Sequence, residues 1–383
     1  MKKQALIVIG ANEFQVPLVE KARELEYETH VFAWEEGAVC RDIADYFYPI
    51  SITDREEILK IARKIKPAGV ISIGSDLAVI TVNYLAARLG LVGNSLYSAQ
   101  ISTNKYEMRT AFRQANLPCP DFRLIDKNGI PEPLNMKFPL IIKPVDRSGS
   151  RGINRVDNRE ELDQAISLAI RESFGGHVIA EEYINGHEYS MEMISYQGEH
   201  YFLAITEKFT TGAPNYVETM HLQPGRIELS TLNKAIETIK SALDVLNIKN
   251  GASHSEFMVD GDDNIIIIEI GARMGGDYIG SDLVRLSIGY DFTRMVIDIA
   301  VGNKPDLMHH QTSNRAALVK FILSQRDLEL FEELQKFHSE KIYSYGNLRS
   351  VITQPVQDSS QRSGYFIISC PNRNECLSLV GEH

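Results

Sequence analysis

The chain has 383 residues, of which 44% are hydrophobic and 24% are charged. This length predicts two or three domains of roughly 100–200 residues each, and the composition is typical of a folded protein rather than a disordered one. Asp and Glu number 51 against 40 Lys and Arg, which gives a formal net charge of −11 at pH 7. Because there is no general excess of basic residues, we expect no nucleic acid partner, while a local basic pocket for a nucleotide stays open.

The apolar stretches and the cysteines indicate the compartment. No apolar stretch approaches the ~18 residues that a membrane span requires, and the short run at 5–9 indicates a first strand rather than a signal peptide. The four cysteines form no CxxC pair, and their spacing fits neither a zinc site nor a disulfide framework, so reduced structural thiols are expected. The sequence therefore predicts a cytoplasmic protein with no membrane partner.

The first ninety or so residues alternate between strand and helix patterns. Predicted strands cover 5–9, 29–33 and 69–73, and predicted helices cover 16–25, 55–65 and 77–89. This alternation predicts a parallel, doubly wound sheet. The turn after the first strand holds one glycine, Gly10, so the GxGxxG fingerprint of dinucleotide binding is absent. The turn at 74–76 opens a helix, and it indicates either an anion-binding helix N-terminus or a plain helix cap.

The rest of the chain mixes longer strands with helices. Predicted helices cover 98–115, 160–173 and 232–246, predicted strands cover 138–144, 177–184, 187–196 and 201–208, and a hairpin covers 253–259 and 265–270. Residues from about 313 onwards predict a small α+β appendage.

The hairpin carries two opposed carboxylates. Alternation of side chains places His254, Glu256 and Met258 on one face of the first strand. If the return strand is regular, one of its faces carries Ile265, Ile267, Glu269, Gly271 and Arg273. A turn centred between Asp262 and Asp263 sets Glu256 opposite Glu269, with Cβ atoms ~5 Å apart. Like charges this close require a cation between them, and Mg²⁺ is the natural one. Two solvated glutamates on an exposed face are the less favoured alternative.

Basic residues at three places in the chain have a pattern that suits phosphate chemistry. Arg273, just beyond the second carboxylate, can stabilise charge on a transferring group, or it can form a salt bridge to Glu256 or Glu269. Lys143 ends an apolar strand, where a lysine is uncommon without an anionic partner. The loop at 147–152 then adds glycines, serines and arginines, as a flexible phosphate flap does.

Seven short motifs follow one another along the chain. They are Lys105, LIIKP at 140–144, SGSRG at 148–152, AEEYI at 180–184, GHEYSME at 186–192, HSE at 254–256 and EIGAR at 269–273. Together, across residues 98–304, they resemble the ATP-grasp family. The resemblance is closest to the branch that contains bacterial L-amino acid ligases, which is related to biotin carboxylase and to the large subunit of carbamoyl phosphate synthase.

The resemblance implies a mixed α/β and α+β fold. A doubly wound N-terminal domain is expected at 1–93, a two-lobed ATP-grasp domain at 94–310 with its flap-bearing lobe at about 118–185, and a small α+β C-terminal piece at 311–383.

The resemblance also implies a role for each motif. Lys105 and Lys143 are expected to contact ATP phosphates, and Lys143 and Arg273 to assist the chemistry, with Arg273 supporting an acyl phosphate. Glu256 and Glu269 are expected to bind one or two Mg²⁺ ions, for which Mn²⁺ can substitute. The remaining nucleotide contacts are expected from the flap (Ser148, Gly149, Ser150, Gly152), from the adenine-binding segment (Glu181, Glu182, Tyr183, Ile184) and from Glu188 at the ribose.

One position departs from the family pattern. Many members have Asn two residues after the second metal glutamate, where this chain has Gly271. The hairpin register places His254 opposite Gly271. His254 is therefore expected either to fill the space or supply a polar contact where that Asn would be, or to be an ordinary core or strand-edge histidine. The long loop at 208–225 and the glycine-rich turn at 274–281 are expected to border the acceptor pocket. Candidate substrate contacts are Lys208, His221, His254, Gly275, Gly276 and Asp277.

The implied activity is an ATP-dependent ligase that joins a carboxylate to an amine through an acyl phosphate and releases ADP and phosphate. The expected partners are small, amino-acid-like carboxylate and amine substrates, with a homodimer as an open alternative. The competing hypotheses are a purine-pathway or carboxyphosphate-forming ATP-grasp enzyme and an ATP-binding module without turnover.

Overall fold

The N-terminal part is a parallel sheet flanked by helices. A computed structural model describes residues 3–125, 135–213, 215–308, 315–349 and 356–382. The elements in this part are β1 (Ala5–Ile9), α1 (Val16–Glu24), β2 (Glu28–Ala33), β3 (Tyr46–Pro49), α2 (Arg55–Ile65), β4 (Gly69–Ile71) and α3 (Asp76–Leu89). The strand order is β3-β2-β1-β4, and all neighbours are parallel, as expected. The sequence analysis missed β3, because this short edge strand lacks a continuous apolar run.

Two short helices connect this sheet to the rest of the chain. They are α4 (Leu96–Ile101) and α5 (Lys105–Gln114), so the prediction of one helix over 98–115 was wrong. The predicted helix is interrupted before residue 105. The Asn104 side chain accepts hydrogen bonds from the backbone nitrogens of Tyr106 and Glu107, which makes Asn104 the N-cap of a new helix. As a result Lys105 becomes the first residue of α5.

A small antiparallel sheet follows, with one helix on its face. The elements are β5 (Phe122–Ile125), β6 (Leu140–Pro144), β7 (Asn154–Val156), α6 (Arg159–Glu172) and β8 (Val178–Glu182). The strand order is β5-β8-β6-β7, and Leu140, Ile142, Val178 and Ala180 pack with α6 in one core. The loop at 147–152 joins the paired strands β6 and β7.

The remaining strands form one antiparallel sheet of eight in the order β13-β12-β9-β10-β11-β14-β16-β15. The elements are β9 (His187–Tyr196), β10 (Glu199–Thr210), β11 (Glu218–Gln223), α7 (Leu229–Val245), β12 (Gly251–Val259), β13 (Ile265–Gly271), α8 (Val284–Ser287), α9 (Phe292–Ala300), β14 (Ala316–Phe321), α10 (Gln325–Phe337), β15 (Ile342–Gly346), β16 (Tyr365–Cys370) and α11 (Arg373–Leu379). The predicted C-terminal piece therefore extends the large sheet through β11 and β14. Its predicted boundary at 310 and 311 lies outside the described residues.

The hairpin of β12 and β13 has the expected register at its functional end. Glu256 pairs with Glu269, and His254 pairs with Gly271. Closer to the turn a β-bulge shifts the register. Phe257 pairs with Ile267, so Ile268 is an extra residue in β13 with no pairing position on β12. The return strand is therefore irregular.

The bulge changes which side chains share a face. The expectation that Ile265 and Ile267 lie on the face of Glu269 was wrong, since both are buried in the core with Ile270. Ile268 and Glu269, although consecutive, both line the cavity described below.

Two global expectations can be compared with the described residues. The four cysteines are free thiols, and Cys40, Cys370 and Cys376 are buried. Within the described ranges, none of the helices is long and apolar enough to cross a membrane.

Candidate active site

A cavity of about 420 Å³ lies between the small sheet and the large sheet. This volume falls within the roughly 300–1,000 Å³ of typical small-molecule sites. Most of the predicted site residues line it: Lys105, Lys143, Ser148, Gly149, Ser150, Glu181, Glu182, Tyr183, Ile184, Glu188, Lys208, His254, Glu256, Glu269 and Arg273. The residues predicted for the site that do not line it are Gly152, His221, Gly275, Gly276 and Asp277. The structure thus gathers the nucleotide motifs and separates several of the substrate candidates from them.

A buried ion-pair network lies under the small sheet. Lys143 Nζ lies 2.7 Å from Oε2 of Glu181, and Nε of Arg109 lies 2.8 Å from Oε1 of the same carboxylate. Burial lowers the pKa of Lys143, although Glu181 opposes this shift. Burial acts to raise the pKa of Glu181, but Arg109 and Lys143 outweigh it and hold that pKa below its usual value. Glu181 therefore holds Lys143 in position, and its contact with adenine stays a prediction.

The sequence analysis missed Arg109. The buried residues of α5 are Lys105, Met108, Arg109 and Phe112, which occupy one helix face at positions i, i+3, i+4 and i+7. Two basic side chains on an otherwise apolar helix face, Lys105 and Arg109, could have indicated a buried anionic partner in the sequence. Arg109 also donates to the carbonyl oxygen of Ile268, the residue left over by the bulge.

The adenine-binding segment leaves the small sheet at the end of β8. Glu182 is exposed there, and its carboxylate accepts a hydrogen bond from the backbone nitrogen of Asp121 at 3.4 Å. Tyr183 and Ile184 are partly exposed and line the same cavity. Glu181 lines the same cavity while it pairs with its two cations, so all four residues at 181–184 stay candidates for contact with adenine.

Lysines neutralise both carboxylates of the hairpin. Lys105 Nζ donates to Glu269 Oε1 at 2.8 Å and to the carbonyl oxygen of Arg147, at the base of the flap, at 2.7 Å. Lys208 Nζ lies 2.5 Å from Glu256 Oε1 and 2.7 Å from Glu188 Oε1. Burial acts to lower the pKa of Lys208, but the two glutamates outweigh it and raise that pKa well above its usual value. Lys208 therefore lies between Glu188 and Glu256, on the nucleotide side of the site.

The two hairpin carboxylates fit Mg²⁺ together with a nucleotide. Glu256 and Glu269 are directly opposed and line the same cavity. Among the described residues no group of three or more His, Cys, Asp or Glu side chains could hold a metal alone. Mg²⁺ is commonly held by one or two carboxylates plus phosphate oxygens, so this pair is a sufficient protein contribution. The neighbouring lysines then remain available for the phosphates.

His254 belongs to a buried chain of charges. Its Nδ1 donates to Glu192, which also accepts from the backbone nitrogen of Gly275 at 2.9 Å, and its Nε2 lies 3.3 Å from Glu256 Oε1. Burial acts to lower the pKa of His254, but Glu192 and Glu256 raise it to about 9, so the ring is an imidazolium at neutral pH.

The space beside Gly271 is not filled by His254. A Cβ atom at Gly271 would instead meet Asp76 and Arg273. The expected salt bridges from Arg273 to Glu256 or Glu269 are also wrong, because its carboxylate partner is Asp76. The turn at 74–76 therefore provides a helix cap, in which Ser75 accepts from Ala78, and an ion-pair partner for Arg273.

A second polar cluster lies beside the cavity. Asp277 Oδ2 accepts from Nη1 of Arg362 at 2.8 Å and lies 3.4 Å from Nε2 of His221, and the Nη2 atom of Arg362 lies 2.9 Å from Glu218 Oε2. Burial acts to raise the pKa of Asp277, but Arg362 and His221 lower it. Glu218 also lines the cavity, so this cluster borders the nucleotide site. The sequence analysis missed Arg362, which stands in a segment without a motif.

The predicted glycines have clear steric roles. A Cβ atom at Gly275 would lie 2.8 Å from Glu192 Oε1 and 2.8 Å from His254 Nδ1, while Gly276 faces the turn at Gly74. Gly152 has a positive φ of 71°, and a Cβ atom there would lie 3.0 Å from Glu172 on α6. Gly152 therefore allows the flap to return against α6 rather than contacting the cavity.

Fold and site together define a class of protein. Two sheets enclose one charged cavity behind a parallel α/β unit, with a glycine-rich loop at the cavity and opposed glutamates within it. Residues 136–282 match the family model described as the ATP-grasp domain, so the chain contains an ATP-grasp domain.

Comparisons with known proteins agree with this assignment. The chain is 24% identical over 265 residues to the carbamoyl phosphate synthase large chain of Thermoanaerobacter pseudethanolicus. The alignment covers 68% of this chain and 24% of that one. It is 25% identical over 311 residues to the alanine–anticapsin ligase of Bacillus subtilis. That alignment covers 70% of this chain and 64% of the ligase. The matched region thus spans about a quarter of the first relative and less than two thirds of the second.

Solved structures share the fold over nearly the full length. The crystal structure of L-amino acid ligase from Bacillus licheniformis superposes with a TM-score of 0.83 at 21% identity, covering 100% of this chain and 97% of that one. The expected fold class is therefore confirmed.

Proposed function

We propose that this protein is an ATP-dependent ligase that joins a small carboxylate to an amine and releases ADP and phosphate. One observation carries the proposal: a single cavity holds Lys105, Lys143, the flap, the opposed glutamates and Arg273. A binding module would need only the nucleotide contacts. The opposed carboxylates and the arginine are groups that act on charge developing during phosphoryl transfer.

The cavity suggests how the nucleotide lies. The base would rest against residues 181–184, and the ribose would face Glu188. The phosphates would extend toward Lys105, Lys143 and the flap, where both lysine side chains are almost fully buried. Mg²⁺, bound by Glu256 and Glu269, would neutralise phosphate charge there.

The proposed reaction has two balanced steps. An oxygen of the substrate carboxylate attacks the γ-phosphorus of ATP, the bond to the bridging oxygen breaks, and an acyl phosphate and ADP form. The amine nitrogen then attacks the acyl carbon, the bond from that carbon to the phosphate oxygen breaks, and phosphate leaves with the electron pair. The nitrogen passes one proton to the departing phosphate. Neither step needs a side-chain nucleophile, and the sequence shows no Ser–His or Cys–His pattern for one.

The chain contributes positioning, charge and exclusion of water. Lys143 is held by Glu181, whose other carboxylate oxygen is held by Arg109, so the Lys143 ammonium is oriented before the phosphates arrive. Residues 148–151 of the flap line the cavity, and closure of this loop over bound nucleotide would protect an acyl phosphate from hydrolysis. Arg273 lines the same cavity and would stabilise charge on the transferring group.

The substrate class is supported by the names of relatives. Two of the similar proteins are an alanine–anticapsin ligase and an L-amino acid ligase, and both names describe ligation of amino-acid-like substrates. The acidic cluster of Glu218 and Asp277 beside the cavity would suit a substrate ammonium. A cytoplasmic location and a homodimer remain predictions.

Phosphate release tests the proposal. The protein is incubated with Mg·ATP and pools of amino acids, small carboxylates and amines, beside Glu269→Ala and a surface control, Glu237→Ala on α7. Release that requires two pools, disappears in Glu269→Ala and persists in Glu237→Ala would support the ligase. Release with bicarbonate alone would indicate a carboxyphosphate-forming enzyme, and tight ATP binding without release under any pool would contradict the proposal.

A further inference from the structure

A carboxylate from the N-terminal sheet holds Arg273. The Nε and Nη2 atoms of Arg273 donate to Oδ1 and Oδ2 of Asp76, each at 2.8 Å. The two side chains are 13% and 17% exposed, and 197 residues separate them in sequence. A two-point ion pair fixes the plane of a guanidinium as well as its position, which a single contact does not.

Both partners stand next to regular elements. Asp76 is the first residue of α3, and the preceding Ser75 caps that helix. A carboxylate in the first turn is also stabilised by the partial positive charge of a helix N-terminus. Arg273 lies two residues after the end of β13 at Gly271. The pair therefore joins the N-terminal sheet to the hairpin that carries the glutamates.

Gly271 provides the space for this pair. A Cβ atom there would lie 2.9 Å from Asp76 Oδ1 and 3.1 Å from both Cζ and Nε of Arg273. The backbone of Gly271 is not among the positive-φ residues, so the position requires a glycine for space rather than for conformation. Any side chain there, including the Asn expected from the family pattern, would displace the pair.

The pair leaves part of the guanidinium for a ligand. Nη1 of Arg273 donates to the carbonyl oxygen of Met274 at 3.1 Å, which makes three hydrogen bonds with the two to Asp76. A guanidinium has five N–H groups, so one N–H on each Nη remains for an oxyanion. Because Arg273 lines the cavity with Glu256 and Glu269, an oxyanion bound there would lie beside the proposed metal site.

We propose that Asp76 is a positioning residue that orients Arg273 toward the oxygens of the reacting acyl phosphate, in space that Gly271 leaves open. This inference rests on the proposed function. It makes the N-terminal α/β unit part of the reaction machinery, since helix α3 sets the direction of an arginine that follows β13 of the large sheet.

The first test separates kcat from KM. In Asp76→Ala, kcat for phosphate release should fall at least 10-fold while KM for ATP stays within twofold, because the nucleotide contacts are untouched. Asp76→Glu should recover part of the loss. Asp54→Ala is the matched control, since Asp54 stands at the N-cap of α2 without a side-chain cap hydrogen bond, and its kcat should be unchanged. Circular dichroism and melting temperature establish that each variant is folded.

The second test asks whether Asp76 acts through Arg273. In an Arg273→Lys background, which cannot form the two-point pair, Asp76→Ala should change kcat less than twofold. Gly271→Ala should reproduce the kcat defect of Asp76→Ala. An active wild type with unchanged kcat in Asp76→Ala, or a further 10-fold loss in the Arg273→Lys background, would overturn the positioning role. A wild type that releases no phosphate with any pool would instead refute the proposed function.

Discussion

The two ends of the active-site region are assembled in different ways. On the nucleotide side, Lys143 and Glu181 lie on neighbouring strands of one small sheet. On the acceptor side, Asp277 meets Arg362 from the C-terminal segment, and Arg273 meets Asp76 from the N-terminal sheet. The nucleotide side is therefore centred on one small sheet, to which α5 adds Arg109. The acceptor side depends on how three parts of the chain come together.

This difference has an energetic counterpart. The Glu181 network is almost wholly buried, so each charge there depends on its partner. The Arg362 cluster is partly exposed, and water can replace a lost partner in part. We expect substitutions on the nucleotide side to affect stability most, and substitutions on the acceptor side to affect substrate binding most.

The largest effect is expected at Glu181. Glu181→Gln would leave Lys143 and Arg109 buried without an anion, and loss of one partner from a buried ion pair costs about 3–5 kcal/mol. Urea unfolding measures the change. The exposed neighbour is the control, since Glu182→Gln should alter the free energy of unfolding by less than about 0.5 kcal/mol. Equal effects at the two positions would remove the contrast between buried and exposed carboxylates.

His254 should make stability depend on pH. Its pKa is raised from 6.5 to about 9, so its stabilising contribution is complete below pH 6.5 and is lost as the pH rises through 9. At most about 3 kcal/mol is at stake, by the linkage between a pKa shift and free energy. The measurement is the free energy of unfolding from pH 6 to 10 in the wild type and in His254→Gln. The wild type should lose stability more steeply over this range, and parallel curves would contradict the assignment.

On the acceptor side, Arg362→Ala should separate binding from stability. The substitution leaves Asp277 and Glu218 without their cation, and we expect a stability loss of about 1–3 kcal/mol, since charge-assisted hydrogen bonds contribute in this range. KM for the amine substrate should rise at least 10-fold, because Arg362 no longer holds in place the two carboxylates that would receive the substrate ammonium. KM for ATP should stay within twofold. Initial-rate measurements with each substrate varied in turn decide this. A larger change in KM for ATP would place Arg362 on the nucleotide side instead.

The smallest expected effect concerns α5, the helix that carries Lys105 and Arg109. Asn104→Ala removes the cap of α5 and should lower the free energy of unfolding by about 1 kcal/mol, as N-cap substitutions typically do. Asn104→Ser, which can cap, should restore most of the loss in the same urea experiment. A loss unaffected by Ser would show that the helix boundary does not depend on this cap.

The sequence was sufficient where a local pattern determines the structure. Glu256 and Glu269 were predicted to be opposite each other because pairing in a hairpin follows from the position of the turn. The bulge at Ile268 was not predicted, because the position of the turn does not determine whether both strands remain regular. The break before α5 was also missed, although Asn104 is a residue type that favours caps.

Partners from distant parts of the chain were not predictable in this way. The sequence singled out Lys143 and Arg273, but not Arg109 and Asp76, which pair with Glu181 and Arg273 through tertiary contacts. Gly271 illustrates the limit, since a missing side chain looks like a lost ligand until the pair that occupies its space is known. Long-range ion pairs leave no spacing pattern in one sequence.

The continuity of the large sheet has a consequence for shortened forms of the protein. β14 pairs with β11 on one side and with β16 on the other, and β16 pairs with β15. If the chain were cut before β14, β11 would become a bare edge whose N–H and C=O groups have no neighbour, and such edges pair with other molecules. The C-terminal strands thus cover an edge that would otherwise favour self-association. A form truncated before β14 is therefore expected to aggregate unless another strand pairs with β11.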